Sequence, residues 1–273
     1  MAVRRTRRRR ERCEVTGVSV LPGAEPFHHD GGRVGVVLCH GFTGTPQSLR
    51  AWGQALADAG YSVRLPLLPG HGTRWQDMNA TTWPDWFGAV DAAFTELRAV
   101  CDHVFVMGLS MGGGLALRLA EVHGDDVAGV VVVNPSVAGT DWRMTYLLPW
   151  LRHVVPAFPG VASDIKKAGS TELAYDRSPL QAAYSLTRMW QVVAADLPKV
   201  TQPLVVLRSA EDHIVPAESG RLVVETAGSA DVTEVVLHDS YHVATLDNDA
   251  ELIVKTSLDF VDRVVAAASG RAS

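Results

Sequence analysis

Short apolar runs alternating with helical patterns constrain this 273-residue chain more than any other feature. The runs at 34–39 (VGVVLC), 61–68 (YSVRLPLL), 103–108 (HVFVMG), 127–134 (VAGVVVVN), 203–210 (PLVVLRSA) and 233–240 (TEVVLHDS) have the length and composition of strands. Helical patterns separate them. The stretch 45–60 offers Thr45 as N-cap, Pro46 at the first helical position and Gly60 as its stop. The stretch 82–100 opens with Thr82 and Pro84, 111–123 ends at Gly124, and 219–228 and 249–268 complete the set. This alternation predicts an α/β fold, with a mostly parallel central sheet and helices on both faces.

One interval breaks the rhythm. Residues 137–200 separate two strands that a simple crossover would join in far fewer. They are rich in aromatic residues and prolines (WRMTYLLPWLRHVVPAFPG) and are expected to form a cap inserted over one edge of the sheet. The expected organisation is an arginine-rich tail at 1–12, a core in two parts at 13–136 and 201–273, and a cap at 137–200. A chain of this size, 47% apolar, buries a substantial core as one domain with an insertion.

The net charge of −5 conceals a division. The first twelve residues hold seven arginines and one glutamate, which leaves 18 basic against 29 acidic residues in the rest. An acidic body offers no basic face for nucleic acid. The arginine run reads as a disordered tail, because like charges repel and nothing apolar is there to pack. No apolar stretch follows it, so it lacks the pattern of a secretory signal. No apolar run approaches the ~20 residues of a membrane span. Cys13, Cys39 and Cys101 form no C-x-x-C pair, so neither a zinc site nor a disulfide framework is indicated. A cytoplasmic protein is expected.

Chemistry concentrates at Gly108-Leu109-Ser110-Met111-Gly112, a G-x-S-x-G between a strand and a helix. That context suits a nucleophile elbow, whose strained turn lifts the serine Oγ above the sheet. Side chains two residues either side would collide with the neighbouring strand and helix, hence glycine at both. Gly113 and Gly114 would let the helix lie close to the sheet. The same glycines do not make a phosphate cradle. Ser110 occupies the second glycine of a dinucleotide fingerprint, and Leu115 stands where a P-loop needs lysine. A serine nucleophile needs a base, and the base needs an orienting acid. Asp212 and His242 each follow a strand, in the order this architecture requires, at the carboxyl end where open α/β sheets bind ligands. Glu211 and Asp239 stay open as alternative acids. An acyl-transfer site also needs an oxyanion hole. The backbone N–H of Met111 supplies one donor, and that of Phe42, in the loop HGFTGTP, the other. His40 is expected to brace that loop.

The segments CHGFTGTPQSL, LPLLPGHGT, VMGLSMGGGLAL, RSAEDHIVP and SYHVATLDND occur in this order. Together they resemble the bacterial carboxylesterase and monoacylglycerol lipase family of α/β hydrolases, over roughly residues 33–265. The resemblance implies an α/β-hydrolase fold with a small cap. It also implies Ser110, Asp212 and His242 as a catalytic triad, with Phe42 and Met111 as oxyanion donors and no metal or organic cofactor. The expected activity is cleavage of small to medium acyl esters, monoacylglycerols included, through an acyl-enzyme. A thioesterase, lactonase or perhydrolase would use the same triad, and a catalytically silent ligand-binding relative is the reading from another class. The expected partner is a small acyl ester, with no nucleic acid and no stable membrane insertion.

Substrate contacts are expected from the cap. Leu147, Leu148, Trp150, Leu151, Val154, Val155 and Phe158 either line an acyl tunnel, touch a lipid surface transiently, or pack the cap onto the sheet. Leu147, Leu148 and Leu151 are candidates for the acyl part of a substrate, and Glu172 for its alcohol part.

Overall fold

A computed structural model describes residues 19–139, 143, 146–160 and 163–271. The arginine-rich tail at 1–12 and Cys13 lie outside the described residues. Strands β1 (Phe27–His29), β2 (Val34–Cys39), β3 (Ser62–Leu65), β4 (His103–Leu109), β5 (Gly129–Val133), β8 (Leu204–Ser209) and β9 (Val232–Leu237) form one sheet. Its order is β1-β3-β2-β4-β5-β8-β9. Only the edge pair β1–β3 is antiparallel; every other pairing is parallel. Between β5 and β8 a two-stranded hairpin pairs β6 (Ala157–Pro159) with β7 (Arg177–Pro179).

The helices are α1 (Arg50–Asp58), α2 (Trp75–Met78), α3 (Trp83–Arg98), α4 (Met111–His123), α5 (Leu148–Leu151), α6 (Leu180–Asp196), α7 (Ala217–Thr226) and α8 (Ala250–Arg271). Their caps follow the sequence. Thr45 accepts from the Gln47 N–H, with Pro46 opening a short 3₁₀ turn ahead of α1. At α3, Thr82 and Asp85 form a reciprocal capping box with Pro84 in the first turn, satisfying donors the helix leaves unpaired.

Period-two alternation assigns each strand residue to a face. Val37, Cys39, Val104, Val106, Val130, Val132, Leu204 and Val206 face α3, α4, α6 and α7. Val36, Leu38, Phe105, Met107, Val131, Val133, Val205 and Leu207 face α1 and α8. The sheet is thus buried on both sides, as parallel sheets require. Its register sets Cys39 beside Gly108, Leu109 beside Val133 and Ser209 beside Leu237. The carboxyl ends of β2, β4 and β5 are therefore level to within a residue, β8 and β9 run two residues further, and the loops that follow share one rim.

The segment 137–200 has two parts. Residues 146–179 run through α5 and the hairpin. From Leu180 onward, α6 packs on α3 and α4, and Ala182, Leu186, Met189 and Val193 belong to the main core. Sequence periodicity leaves β1 unread: its three residues, Phe-His-His, are half-buried or exposed at the sheet edge.

Candidate active site

The rim between β4 and α4 carries Ser110, at φ 56 and ψ −121. Such a turn is tolerable only where nothing crowds it. A Cβ at Gly108 would sit 2.2 Å from the Gly112 oxygen, and one at Gly112 would sit 1.9 Å from the Cys39 oxygen. Both positions must be glycine for β2, β4 and α4 to meet. Gly113 approaches the sheet as expected, and Gly114 serves a different neighbour. Gly113 abuts Pro135 and, at 3.4 Å, the Gly108 oxygen of β4, so it admits the β5 loop as well as the sheet, whereas Gly114 abuts Met189 of α6 and the Ser136 oxygen.

The serine backbone is held on both sides. Its N–H donates to the Val133 oxygen at 2.9 Å, and its oxygen accepts from Gly114 and Ser136. Met111 is the first residue of α4, so its N–H stands among the donors that a helix start leaves free, at the positive end of the dipole. The loop after β2 passes directly alongside: a Cβ at Gly41 would lie 3.6 Å from the Ser110 Cβ. Phe42 follows, its ring edge-on to Trp86 at 6.0 Å. His40 braces this loop as expected. It is fully buried, its Nδ1 contacts the Gly41 oxygen at 3.0 Å, and its Nε2 accepts the Leu68 N–H at 3.2 Å. Burial, with the neighbouring His71, drives the His40 imidazole well below its ordinary pKa, so it is neutral.

Asp212 and His242 meet at the same rim. His242 Nδ1 donates to Asp212 Oδ2 at 2.8 Å, with both side chains nearly buried. Asp212 Oδ1 accepts the N–H groups of Ile214 and Val215. Burial pushes the Asp212 carboxyl up, but the His242 bond, the His242 charge and these two amides outweigh it and hold it below the usual carboxylate value. The alternative acids are engaged elsewhere. Glu211 pairs with His213 at 3.3 Å and Asp239 with Lys166 at 2.9 Å.

Ser110, His242, Gly41 and Phe42 share the walls of one cavity of about 480 Å³, a size suited to a small ligand. Asp212 lies outside it, behind the imidazole. The cavity's apolar walls come from Leu180, Ala183, Leu186 and Trp190 of α6, with Phe158, Ile214 and Val215. Glu172 also lines the cavity, pressed against the loop after β2 at Gly44. Burial raises its carboxyl to about 7, against the pull of the His242 charge. Leu147, Leu148 and Leu151 do not line this cavity. Leu148 is 4% exposed and packs with Leu180 and Ala183, with Leu151 and Val155 against them. Leu147, Trp150, Val154 and Phe158 are exposed, Trp150 at 77%, beside Tyr146.

Other residues at the rim are not evident from local sequence. Asn134, just past β5, donates to the His242 oxygen (2.8 Å) and to Ser209 Oγ, and accepts the Ser209 N–H. Among the described residues, the non-glycine positions with positive φ are Thr43, Ser110, Asn134 and Ser163. Three of them line the cavity, and the fourth holds the His242 loop. An Asn-Pro pair closing a buried strand was the available signal for Asn134.

Comparison with known proteins agrees with this architecture. Residues 32–249 match the serine aminopeptidase S33 family. The chain is 41% identical over 246 residues to a thermostable monoacylglycerol lipase of Bacillus sp. (strain H-257), covering 88% of this chain and 95% of that one. It is 24% identical over 243 residues to a carboxylesterase of Bacillus subtilis (strain 168), covering 88% and 97%. A solved chain described with LipS and LipT, two metagenome-derived lipolytic enzymes, superposes with a TM-score of 0.87 at 41% identity, over 90% of this chain and all of that one. Paleococcus ferrophilus monoacylglycerol lipase shares the fold at a TM-score of 0.74 and 22% identity, over 88% of this chain and 99% of its own. With its parallel sheet, its serine elbow and a family match spanning most of its length, the chain belongs to the serine aminopeptidase S33 family of α/β hydrolases.

Proposed function

We propose that this chain is a carboxylic ester hydrolase that acts on monoacylglycerols and related short- to medium-chain esters through an acyl-enzyme on Ser110. The observation that carries the reading is the Asp212–His242 hydrogen bond, with His242 and the Ser110 elbow opening on one largely apolar cavity. Ser110 Oγ attacks the ester carbonyl while His242 Nε2 takes its proton. The N–H groups of Phe42 and Met111 stabilise the oxyanion of the tetrahedral intermediate. Collapse breaks the bond to the leaving alcohol, which takes the proton from His242. Water, deprotonated by the same histidine, then attacks the acyl-serine and releases the acid. Asp212 keeps the imidazole proton on Nδ1, so that Nε2 presents a lone pair to the serine.

The cavity suits an ester with two unlike ends. Apolar walls from α6 receive the acyl chain, where each buried methylene contributes about 0.8 kcal/mol. Glu172, half protonated near pH 7 and neutral below it, both donates and accepts hydrogen bonds beside the oxyanion loop, which suits a leaving group with free hydroxyls. Exposed Tyr146, Trp150 and Val154 give the insertion an apolar outer face for transient contact with a lipid surface. Among the described residues, no helix is long and apolar enough to cross a membrane.

The test is hydrolysis of monoacylglycerols, p-nitrophenyl esters and aminoacyl p-nitroanilides by the wild type and Ser110→Ala. Esters should be cleaved with a burst of nitrophenol, the anilides should be poor substrates, and the variant should lose most turnover. Undiminished ester cleavage by Ser110→Ala sinks the mechanism, and efficient anilide cleavage replaces the ester reading with a peptidase one.

A further inference from the structure

One carboxylate of the insertion grips the backbone of His242 itself. Asp164 follows the positive-φ residue Ser163, and its side chain is 11% exposed. Its Oδ2 accepts the backbone N–H of His242 at 3.1 Å and that of His213 at 3.2 Å. Its Oδ1 contacts His213 Nδ1 at 2.8 Å, and its backbone oxygen accepts the Val243 N–H at 3.1 Å. His213 is the residue after Asp212. A single residue of the insertion thus grips the backbone of the base, that of its successor, and that of the residue next to the acid.

We propose that Asp164 is a positioning residue for the His242 base, setting the Asp212–His242 pair in register only while the insertion is docked. The proposal rests on the triad reading given above. A second carboxylate sharpens the argument. Asp247, buried, accepts the N–H groups of Lys166 and Lys167 from the insertion and of Tyr241 and Asn248 from the base loop. The same two segments are therefore already joined without Asp164. What Asp164 adds is a grip on the base residue itself and on the acid loop, neither of which Asp247 touches. Removing its carboxylate leaves the N–H groups of His242 and His213 without their acceptor. The loops would then shift toward water, and a displacement of about 1 Å at a reacting group costs on the order of 100-fold in rate.

The experiment measures kcat, KM and thermal unfolding on p-nitrophenyl butyrate for Asp164→Ala and Asp164→Asn, with Ser110→Ala alongside. Asp164→Ala should lower kcat about 10- to 100-fold with KM within about threefold of wild type. Asp164→Asn keeps a carbonyl oxygen for the two backbone donors and should recover most of that loss. Should Asp164→Ala fail to fold, Asp164→Glu, which moves the acceptors without removing them, takes its place under the same criteria. A kcat within about threefold of wild type, a loss confined to KM, or no recovery in Asp164→Asn overturns the proposal. Turnover by Ser110→Ala would instead remove the triad reading on which it rests, so the two failures are distinct.

Discussion

Asp212→Asn changes one atom type and leaves the side-chain shape alone, and the structure dictates where that atom goes. Asp212 Oδ1 accepts the N–H groups of Ile214 and Val215 at 2.9 and 2.8 Å. Two donors converge there, so an asparagine must leave its carbonyl oxygen in that position. Its amide NH₂ then faces His242 Nδ1, across the 2.8 Å now spanned by an N–H···O bond. A donor facing Nδ1 demands a lone pair on it, which moves the imidazole proton to Nε2. The nitrogen that receives the Ser110 proton in the proposed mechanism is then already protonated. In other serine hydrolases with this arrangement the same change lowers kcat by about 10⁴. That corresponds to roughly 5.5 kcal/mol of transition-state stabilisation at 1.36 kcal/mol per decade. KM should change little, because Asp212 does not line the cavity. The assay is steady-state hydrolysis of p-nitrophenyl butyrate near neutral pH, with thermal unfolding as the control for folding. A kcat within about tenfold of wild type would refute the tautomer argument. So would an equal loss in Glu211→Gln or Asp239→Asn, whose carboxylates pair with His213 and Lys166 instead.

Two further predictions concern substrate choice. Trp190 is shared between the walls of the serine cavity and those of a neighbouring cavity of about 320 Å³. Trp190→Ala should join the two and raise kcat/KM for p-nitrophenyl laurate relative to butyrate, by up to about fourfold for each methylene newly seated; an unchanged ratio means the chain runs elsewhere. Glu172→Leu should raise KM for monobutyrin by up to about tenfold while leaving ethyl butyrate nearly unchanged, since only the glyceryl ester loses hydrogen bonds. Equal effects on both esters would show that Glu172 supports the loop rather than the leaving group.

Much of this architecture is legible in the chain because its signals are local. Buried parallel strands are continuous apolar runs, and Thr45, Thr82 and Gly124 mark helix ends within a few residues of the helices they bound. Ser110, Asp212 and His242 are legible for a related reason: each follows a strand whose end the sequence announces. The residues that hold them are not. Asp164 and His242 are 78 positions apart, and Asn134 and His242 are 108 apart. Nothing beside Asp164 in the sequence distinguishes it from a solvated loop aspartate. The helix α6 is a different case. Its core positions 182, 186, 189 and 193 follow helical spacing, but the aromatic stretch before it invites a single cap covering both. The apolar residues of that stretch divide by contact: Leu148 turns inward to α6 and Trp150 outward, a choice that composition does not encode.

The positive-φ residues around the cavity carry a consequence for engineering. Thr43, Ser110, Asn134 and Ser163 each hold a backbone conformation that costs on the order of 1–3 kcal/mol. A typical domain's whole margin against unfolding is about 5–15 kcal/mol. Among the described residues, the non-glycine positions with this strained backbone all lie at the cavity or on the loop beside it, so relaxing them is a route to heat tolerance. A library selected for thermal survival alone would be drawn to glycine at these positions, and in doing so would take away the proposed nucleophile at one of them and the loop anchor at another. Directed evolution of this enzyme must score turnover in the same round as survival, or it will converge on a sturdier protein that no longer cleaves esters.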